Sequence, residues 1–220
     1  MSAPPPPKFP RVPHLAPSLA ATPDDVVLAA AGRDELLQVE VVVEEKLDGM
    51  NVMVWVDDGV PRVGTRGGAE TSDRSGERGR LKAWAAMRSD LLVAGLGERF
   101  ALYGEWLRRR HGVAYDRLPA ELVGLDVHDR DSGEFLGVEE RDAVLAVLAV
   151  PAPPRLFRGT IETPERLEAL FGASAFSDDR AEGIVVRAVT GTPRRVAKLV
   201  DPFWHGIGAT PWEGENRLAE

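Results

Sequence analysis

Short apolar runs separated by polar turns predict a chain rich in β-strands. Valine-rich or alternating runs that end at Gly, Asp or Pro favour strands over helices. The predicted strands cover residues 41–46, 51–56, 60–66, 100–107, 122–127, 155–157, 183–189 and 196–200. Helices are predicted from residue 80 to about 93, from 138 to 150 and from 163 to 171. A further short helix is predicted to be capped by residues 22–25 and to end at Gly32. Strands joined mainly by hairpins and interrupted by helices indicate an α+β fold, with antiparallel sheets flanked by helices.

The valine run Val41–Val43 leads directly into a cluster of charged residues. Glu44-Glu45-Lys46 ends the first strand, and Asp48-Gly49 supplies a turn into the next strand, which predicts a hairpin. A free lysine has a pKa of about 10.4, so a neutral amine at pH 7 costs roughly 4.6 kcal/mol. The neighbouring carboxylates oppose that neutral form unless a metal-bound, triphosphate-bearing ligand occupies them. Taken alone, this stretch favours a surface hairpin with an ion pair over a reactive lysine.

Composition bounds the class of protein. The chain has 220 residues, of which 28% are charged and 44% apolar, as in an ordinary globular protein of one large domain or two small ones. It has no cysteine, which excludes disulfides and thiolate metal sites. Neither a signal-peptide pattern nor a run of transmembrane length is found, so we expect a cytoplasmic location and no membrane partner. We predict a proline-rich arm at residues 1–24 and one domain at residues 25–220.

The charge pattern narrows the expected partners. A formal net charge of −8 at pH 7 argues against a protein that coats nucleic acid nonspecifically. Basic residues nevertheless concentrate at 62–88 and 108–110, which fits either a solvated face or a surface that contacts a phosphate backbone. The glycine-rich segment 67–79 is predicted to be mobile, and it lacks the Gly-Lys-Ser/Thr of a Walker loop. A nucleotide, if bound, is therefore not held by a Walker loop.

Six short motifs occur in an order that resembles a known family. They are Glu44-Glu45-Lys46-Leu47-Asp48-Gly49, Thr65-Arg66-Gly67-Gly68, Tyr103-Gly104-Glu105-Trp106, Gly124-Leu125-Asp126, Glu182-Gly183-Ile184-Val185-Val186-Arg187 and Ala197-Lys198-Leu199. The set resembles the covalent nucleotidyltransferases, which are the ATP-dependent ligases of RNA and DNA and the mRNA capping enzymes. It most resembles an ATP-dependent RNA ligase domain, over about residues 8–200. An ordered series is far more specific than one motif, so it outweighs the ion-pair interpretation of Lys46.

The resemblance implies a ligase-type nucleotidyltransferase (adenylation) domain that requires ATP and Mg²⁺. Lys46 would attack the α-phosphate of ATP, forming lysyl-AMP and releasing pyrophosphate. Glu182 would bind Mg²⁺, and Lys198 would stabilise charge on the α-phosphate. AMP would then pass to a 5′-phosphate, and a 3′-hydroxyl would displace it. The other implied nucleotide contacts are Glu44 and Glu45 at the adenine end, Glu105 at the ribose, and Arg66 at the phosphate or the sugar.

Three departures from the family pattern bear on activity. Arg187 stands where the fourth motif often has lysine, and we expect it to contact substrate. The fifth motif usually reads Lys-x-Lys, and here only Lys198 is kept. Val123 and Leu125 offer no aromatic ring to stack on adenine, a loss of about 1 kcal/mol of nucleotide affinity. These departures predict rearranged phosphate contacts and allow slow or altered adenylylation.

Asn51 bears on the choice between RNA and DNA. DNA ligases typically have arginine two residues past the motif glycine, whereas RNA ligases of this kind have asparagine, as this chain does. We therefore expect RNA, or RNA/DNA ends, as the partner and Asn51 as a substrate contact. Family members often carry an extra domain beyond the last motif, so a separate accessory domain or protein is also expected. The alternatives are a DNA ligase, a capping-type nucleotidyltransferase, or a nucleotide- or RNA-binding relative that has lost turnover.

Overall fold

The chain divides into two compact units, and neither is continuous in sequence. The computed structural model describes residues 6–16, 25–66, 68–69, 76–163, 165–190, 194–204 and 214–219. The first unit contains Met1–Phe9, Gly49–Arg109 and Ala120–Ala152; the second contains Pro10–Asp48, Arg110–Pro119 and Pro153–Glu220. Each unit is built around its own sheet.

All paired strands of the two sheets run antiparallel. In chain order the elements of the described residues are α1 (Ala30–Leu37), β1 (Val41–Lys46), β2 (Met50–Asp57), β3 (Val60–Thr65), β4 (Gly68–Ala69), α2 (Gly76–Met87), α3 (Ser89–Leu96), β5 (Phe100–Trp106), β6 (Leu122–Asp129), β7 (Glu134–Phe135), α4 (Val138–Val147), β8 (Arg155–Gly159), α5 (Glu165–Glu168), β9 (Gly183–Ala188) and β10 (Val196–Val200). The first unit has the strand order β4-β3-β2-β5-β6-β7, with α2, α3 and α4. The second has the order β10-β9-β1-β8, with α1 and α5. The predicted α+β class is confirmed.

The sheet of the first unit buries apolar side chains on both faces. Along β2, Val52, Val54 and Val56 join a core with apolar residues of α2, α3 and α4. The alternate residues Met53 and Trp55 belong to a second cluster. Because successive side chains of a strand point to opposite faces, one apolar run supplies both clusters. Each fully buried side chain of this size contributes about 1.5–3 kcal/mol relative to exposure.

The segment at residues 6–9 covers the second cluster of the first unit. The Phe9 ring stacks on Tyr103 with centroids 5.0 Å apart and meets Phe135 edge-on at 6.1 Å. The Tyr103 hydroxyl donates a hydrogen bond to the Pro7 carbonyl at 2.5 Å. This part of the predicted arm is therefore packed into the core of the first unit.

The central strand of the second unit is β1, which pairs with β9 on one edge and β8 on the other. Its three valines, Val41–Val43, are fully buried. Leu36 and Leu37, the last two residues of α1, pack in the same core. A strand that is paired on both edges and buried on both faces explains the continuous valine run.

The predicted hairpin across Asp48-Gly49 is wrong. β1 pairs with β8 and β9, whereas β2 pairs with β3 and β5. The Asp48 N–H donates to the Tyr115 hydroxyl at 2.8 Å, and the Asp48 carboxylate accepts hydrogen bonds from the backbone N–H groups of Gly112 and Val113. Since residues 112–115 satisfy these polar groups of Asp48, the turn does not need a partner strand, and the chain passes from one sheet to the other.

Two helix predictions also need correction. Helix α1 contains Gly32 instead of ending there, because burial of its last two leucines outweighs the cost of about 1 kcal/mol for glycine inside a helix. The single helix predicted at residues 80–93 is two helices, α2 and α3, divided at Arg88. Arg88 has φ −109° and ψ 16°, outside the helical range, so the helix is interrupted there.

Some sequence predictions concern positions outside the described residues. Positions 1–5 and 17–24 include the boundary of the predicted arm and most of the predicted helix cap. Positions 67 and 70–75 belong to the predicted glycine-rich loop. Within the described part of the chain, no helix is long and apolar enough to cross a membrane.

Candidate functional site

Lys46 ends β1, and its ammonium group forms an ion pair with Glu182. Lys46 lies opposite Gly183 in the register of β1 and β9, which brings the preceding residue, Glu182, to the same end of the strand pair. The Lys46 Nζ donates a hydrogen bond to Glu182 Oε2. The two side chains keep 22% and 12% of their exposure, so the pair is partly open to a ligand. Burial raises the pKa of Glu182 above its usual value, and the nearby Lys46 only partly opposes this effect.

Lys198 lies on β10, opposite Val185 of β9. Its Nζ donates a hydrogen bond to Asp25 Oδ1 at 2.9 Å. Its positive charge also acts on Glu182, where it lowers the pKa of the carboxyl and so works against burial. The second unit therefore brings Lys46, Glu182 and Lys198 together from three neighbouring strands and their ends.

The carboxylates before Lys46 already have partners in the second unit. Glu44 forms a buried ion pair with Arg187, whose Nε lies 3.3 Å from Glu44 Oε2. Glu45 accepts hydrogen bonds from the Ser174 hydroxyl and, at 2.8 Å, from the Ala175 N–H. Burial raises the pKa of Glu45, and these two hydrogen bonds oppose the shift. These contacts stabilise the strand end that carries Lys46.

In the first unit, the predicted site residues lie at one end of the sheet. Asn51 of β2 lies directly opposite Glu105 of β5. The Glu105 carboxylate accepts a hydrogen bond from the Gly49 N–H at 3.1 Å. The Arg66 N–H donates to the Asn51 carbonyl at 3.4 Å, which places Arg66 at the same end of β2. The sheet register thus brings together three residues that are far apart in sequence.

The donor set suits a cation that is held only partly by protein. No group of three or more His, Asp or Glu side chains that could hold a metal is found among the described residues. Mg²⁺ usually takes one or two carboxylates and fills its other positions with phosphate oxygens and water. A single partly exposed carboxylate, Glu182, fits this mode of binding once a polyphosphate is present.

Three residues that position this region have no signal in the sequence. The sequence predicts Asp25 in a helix cap, but its carboxylate accepts a hydrogen bond from Lys198. Tyr115 holds the turn after Lys46, and burial raises its pKa well above the ordinary value. Ser174 holds Glu45. None of these residues lies in a motif, and nothing in their spacing along the chain signals the contacts.

Comparisons with known proteins bear on the family and the fold of the chain. The family model described as RNA ligase matches residues 39–200. A search of curated proteins finds no match. A lysine-to-alanine variant of Naegleria gruberi RNA ligase with ATP and Mn is 22% identical, with a TM-score of 0.62 over 76% of this chain and 51% of that chain. The same ligase with PPi gives 22% identity, a TM-score of 0.61 and the same coverage.

A lysine-to-methionine variant of that ligase with AMP and Mn is 20% identical, with a TM-score of 0.59. At this level of identity the structures show a shared fold, and the matched region spans about half the length of the Naegleria chain. The family match is stronger, because it covers well over half of the 220 residues and includes all six motifs. The resemblance seen in the sequence is thereby confirmed: this chain belongs to the RNA ligase family.

Proposed function

We propose that this protein is an ATP-dependent RNA ligase that joins a 5′-phosphate to a 3′-hydroxyl through a lysyl-AMP intermediate on Lys46. The observation that carries the proposal is the ion pair of Lys46 with Glu182 in a chain of this family. Attack on a nucleotide phosphate requires an amine, a carboxylate that accepts its hydrogen bond and a second cation. Lys46, Glu182 and Lys198 are these groups.

In the first step, the Lys46 Nζ forms a bond to the α-phosphorus of ATP, and the bond from that phosphorus to the bridging oxygen breaks. Pyrophosphate leaves with the electron pair of that bond. The Nζ must lose a proton before it attacks, and Glu182 already accepts its hydrogen bond. Lys198 supplies positive charge to the oxygens of the α-phosphate.

Glu182 is the residue that would hold Mg²⁺. When bound, the ion would neutralise the triphosphate and the pyrophosphate leaving group. Glu182 suits this role because burial raises the pKa of its carboxyl, so that a nearby cation would stabilise its charged form.

Four further motif residues make nucleotide contacts in our proposal. Glu105 binds the ribose, and Arg66 binds the phosphate or the sugar. Glu44 and Glu45 contact the adenine end. There the amino group of the base would donate to carboxylates that already accept hydrogen bonds from protein groups. Because those carboxylates are buried and hydrogen-bonded, their orientation is fixed before the nucleotide arrives.

For the second substrate we propose RNA, or paired strands with an RNA 3′-terminus, bound with the help of Asn51 and Arg187. Such an activity suits RNA repair in the cytoplasm, and a chain without cysteine is compatible with that reducing compartment. The matched region is about half of the Naegleria ligase chain. We propose that a further domain or a separate protein supplies additional grip on the nucleic acid.

The first test is adenylylation of Lys46. Purified protein incubated with ATP and Mg²⁺ should gain one AMP, measured by intact mass and located on Lys46 by peptide mapping. Lys46→Ala should gain none, and Lys198→Ala should react at least about 10²-fold more slowly. Lys82→Ala on α2 is the matched control and should react like the wild type. Failure of the wild type to gain AMP, with Mg²⁺ or Mn²⁺, would instead support a binding protein without turnover.

A further inference from the structure

His14 is a buried histidine whose side chain has no hydrogen-bond partner among the described residues. It is 1% exposed, and neither ring nitrogen has a donor or acceptor within hydrogen-bond distance in that part of the chain. Its Nε2 lies 3.8 Å from Asp25 Oδ1, slightly beyond a hydrogen bond. A buried polar ring aimed at a carboxylate without bonding it calls for an explanation.

The backbone fixes His14 beside Asp25 and Lys198. The His14 N–H donates to the Val26 carbonyl at 2.7 Å, which ties it to the strand-like segment that carries Asp25. On its other side, the Lys198 N–H donates to the Pro13 carbonyl at 2.8 Å, and His14 forms a parallel bridge with Lys198. The three side chains are therefore brought together by hydrogen bonds between their main chains and not only by their rotamers.

Asp25 is shared between two bases. Its Oδ1 accepts the hydrogen bond of the Lys198 Nζ at 2.9 Å and lies 3.8 Å from His14 Nε2. The charged groups that act on His14 are Lys198, Asp25 and Lys46. Burial lowers the pKa of His14, Lys198 and Lys46 lower it further, and Asp25 opposes them. The lowered pKa favours the neutral imidazole at pH 7, and Asp25 is hydrogen-bonded to Lys198.

We propose that His14 and Asp25 act together as positioning residues for Lys198: when Lys198 leaves Asp25 to bind an anionic phosphate, His14 takes up one proton from solvent at Nε2 and pairs with Asp25. Asp25 favours the protonated form of the nearby imidazole, so it promotes this proton uptake once the opposing charge of Lys198 is neutralised. The phosphate also cancels the charge of Lys198 that keeps His14 neutral. This inference rests on the proposed role of Lys198, and both added residues lie before the stretch matched to the family.

The test measures protons taken up when a nucleotide binds without reacting. The full chain is titrated with α,β-methylene-ATP and Mg²⁺ at pH 7 by calorimetry, in two buffers of different ionisation enthalpy. Wild type, His14→Gln, Asp25→Asn and a control, His128→Gln, are compared. His128 is also buried and has an unpartnered ring nitrogen among the described residues, but it packs on Phe135 in the first unit. The ligand's own proton change is common to all four proteins, so it cancels in the comparison.

We expect the wild type and His128→Gln to take up more protons per bound ligand than His14→Gln and Asp25→Asn, and the affinity of the first two to fall as the pH rises. His14→Gln and Asp25→Asn each remove one member of the pair. If one of these variants fails to fold, the other still provides the test. Equal proton uptake in all four proteins would overturn the inference.

Adenylylation of Lys46 by ATP is measured in parallel by mass. Adenylylation without the proton difference would overturn this inference alone, and the proton difference without adenylylation would overturn the proposed function alone. Absence of nucleotide binding would overturn both.

Discussion

Arg187 and Glu44 form a diagonal pair across β9 and β1, on a sheet face where both side chains are less than a tenth exposed. Arg187 lies opposite Val42, two positions from Glu44, so the two side chains reach each other along one face. Removing one member of a buried ion pair typically costs about 3–5 kcal/mol. We therefore expect Arg187→Met to lower the free energy of unfolding in urea by that amount.

The double variant Glu44→Leu, Arg187→Met should recover much of that loss, since it removes both buried charges. Arg158→Met is the matched control, because Arg158 and Glu40 form an exposed pair at 2.8 Å, and breaking such a pair costs at most about 1 kcal/mol. If Arg187→Met were as stable as the control and impaired only the sealing of substrate, Arg187 would be a substrate residue with no structural role.

The pH dependence of stability should report the burial of Glu182. Its pKa is raised above the ordinary value of 4.5, so the folded protein binds this proton more tightly than the unfolded chain. The stabilisation is therefore complete below 4.5 and is lost as the pH rises through the folded pKa. As the pH rises above about 4.5, the wild type should lose stability relative to Glu182→Gln, which cannot titrate.

Chemical denaturation at several pH values measures this difference. A difference between Glu182→Gln and the wild type that stays constant over this range would contradict the raised pKa of Glu182.

Asn51 should separate the sealing step from lysine adenylylation. Its amide can donate and accept, so it can orient a 5′-phosphate or a terminal hydroxyl while the lysine motif holds AMP. Asn51→Ala should keep Lys46 adenylylation and lose most sealing of a 5′-phosphate strand. The wild type should seal nicks with an RNA 3′-terminus faster than all-DNA nicks, since a 2′-hydroxyl offers an added contact.

Gel assays on nicked duplexes with RNA or DNA 3′-termini measure both effects. Equal rates on the two substrates would favour a DNA ligase, and a loss of adenylylation in Asn51→Ala would place Asn51 in the first step.

Gly183 should be intolerant of any side chain. A Cβ there would lie 2.1 Å from the Leu199 carbonyl oxygen and 2.9 Å from the Val200 Cα, and both are backbone atoms of β10. We expect Gly183→Ala to cost about 1–3 kcal/mol or more, because β10 must move away. Gly172→Ala is the control, since a Cβ at Gly172 meets nothing within 4 Å. Thermal unfolding should show a clearly lower midpoint for the first variant only.

The strands and the motif residues could be predicted because their signals are local. The valine run of β1 and the alternation of β2 require only neighbouring residues, and both strands are present within a residue of the prediction. The order of the motifs placed Lys46 and Glu182 in one site, and the β1–β9 register brings them together.

The contacts that depend on pairing between distant segments could not be predicted. Asp48-Gly49 has the residues of a hairpin turn, yet Tyr115 and its neighbours replace the partner strand. His14 and Asp25 lie near the start of the chain, and only the bridge to β10 shows that they serve Lys198. Sequence spacing contains no information on such contacts.

The placement of β1 also has a consequence for synthesis of the protein. Lys46 and Glu182 are 136 positions apart, and both strands that flank β1 follow it by more than a hundred residues. Pairing over such separations is slow, so on the ribosome the run Val41–Val43 waits without partners while most of the chain is made. Apolar β-forming runs of this kind aggregate unless charges flank them. Glu40, Glu44 and Glu45 flank the valine run, and their charges therefore also protect the nascent chain from aggregation.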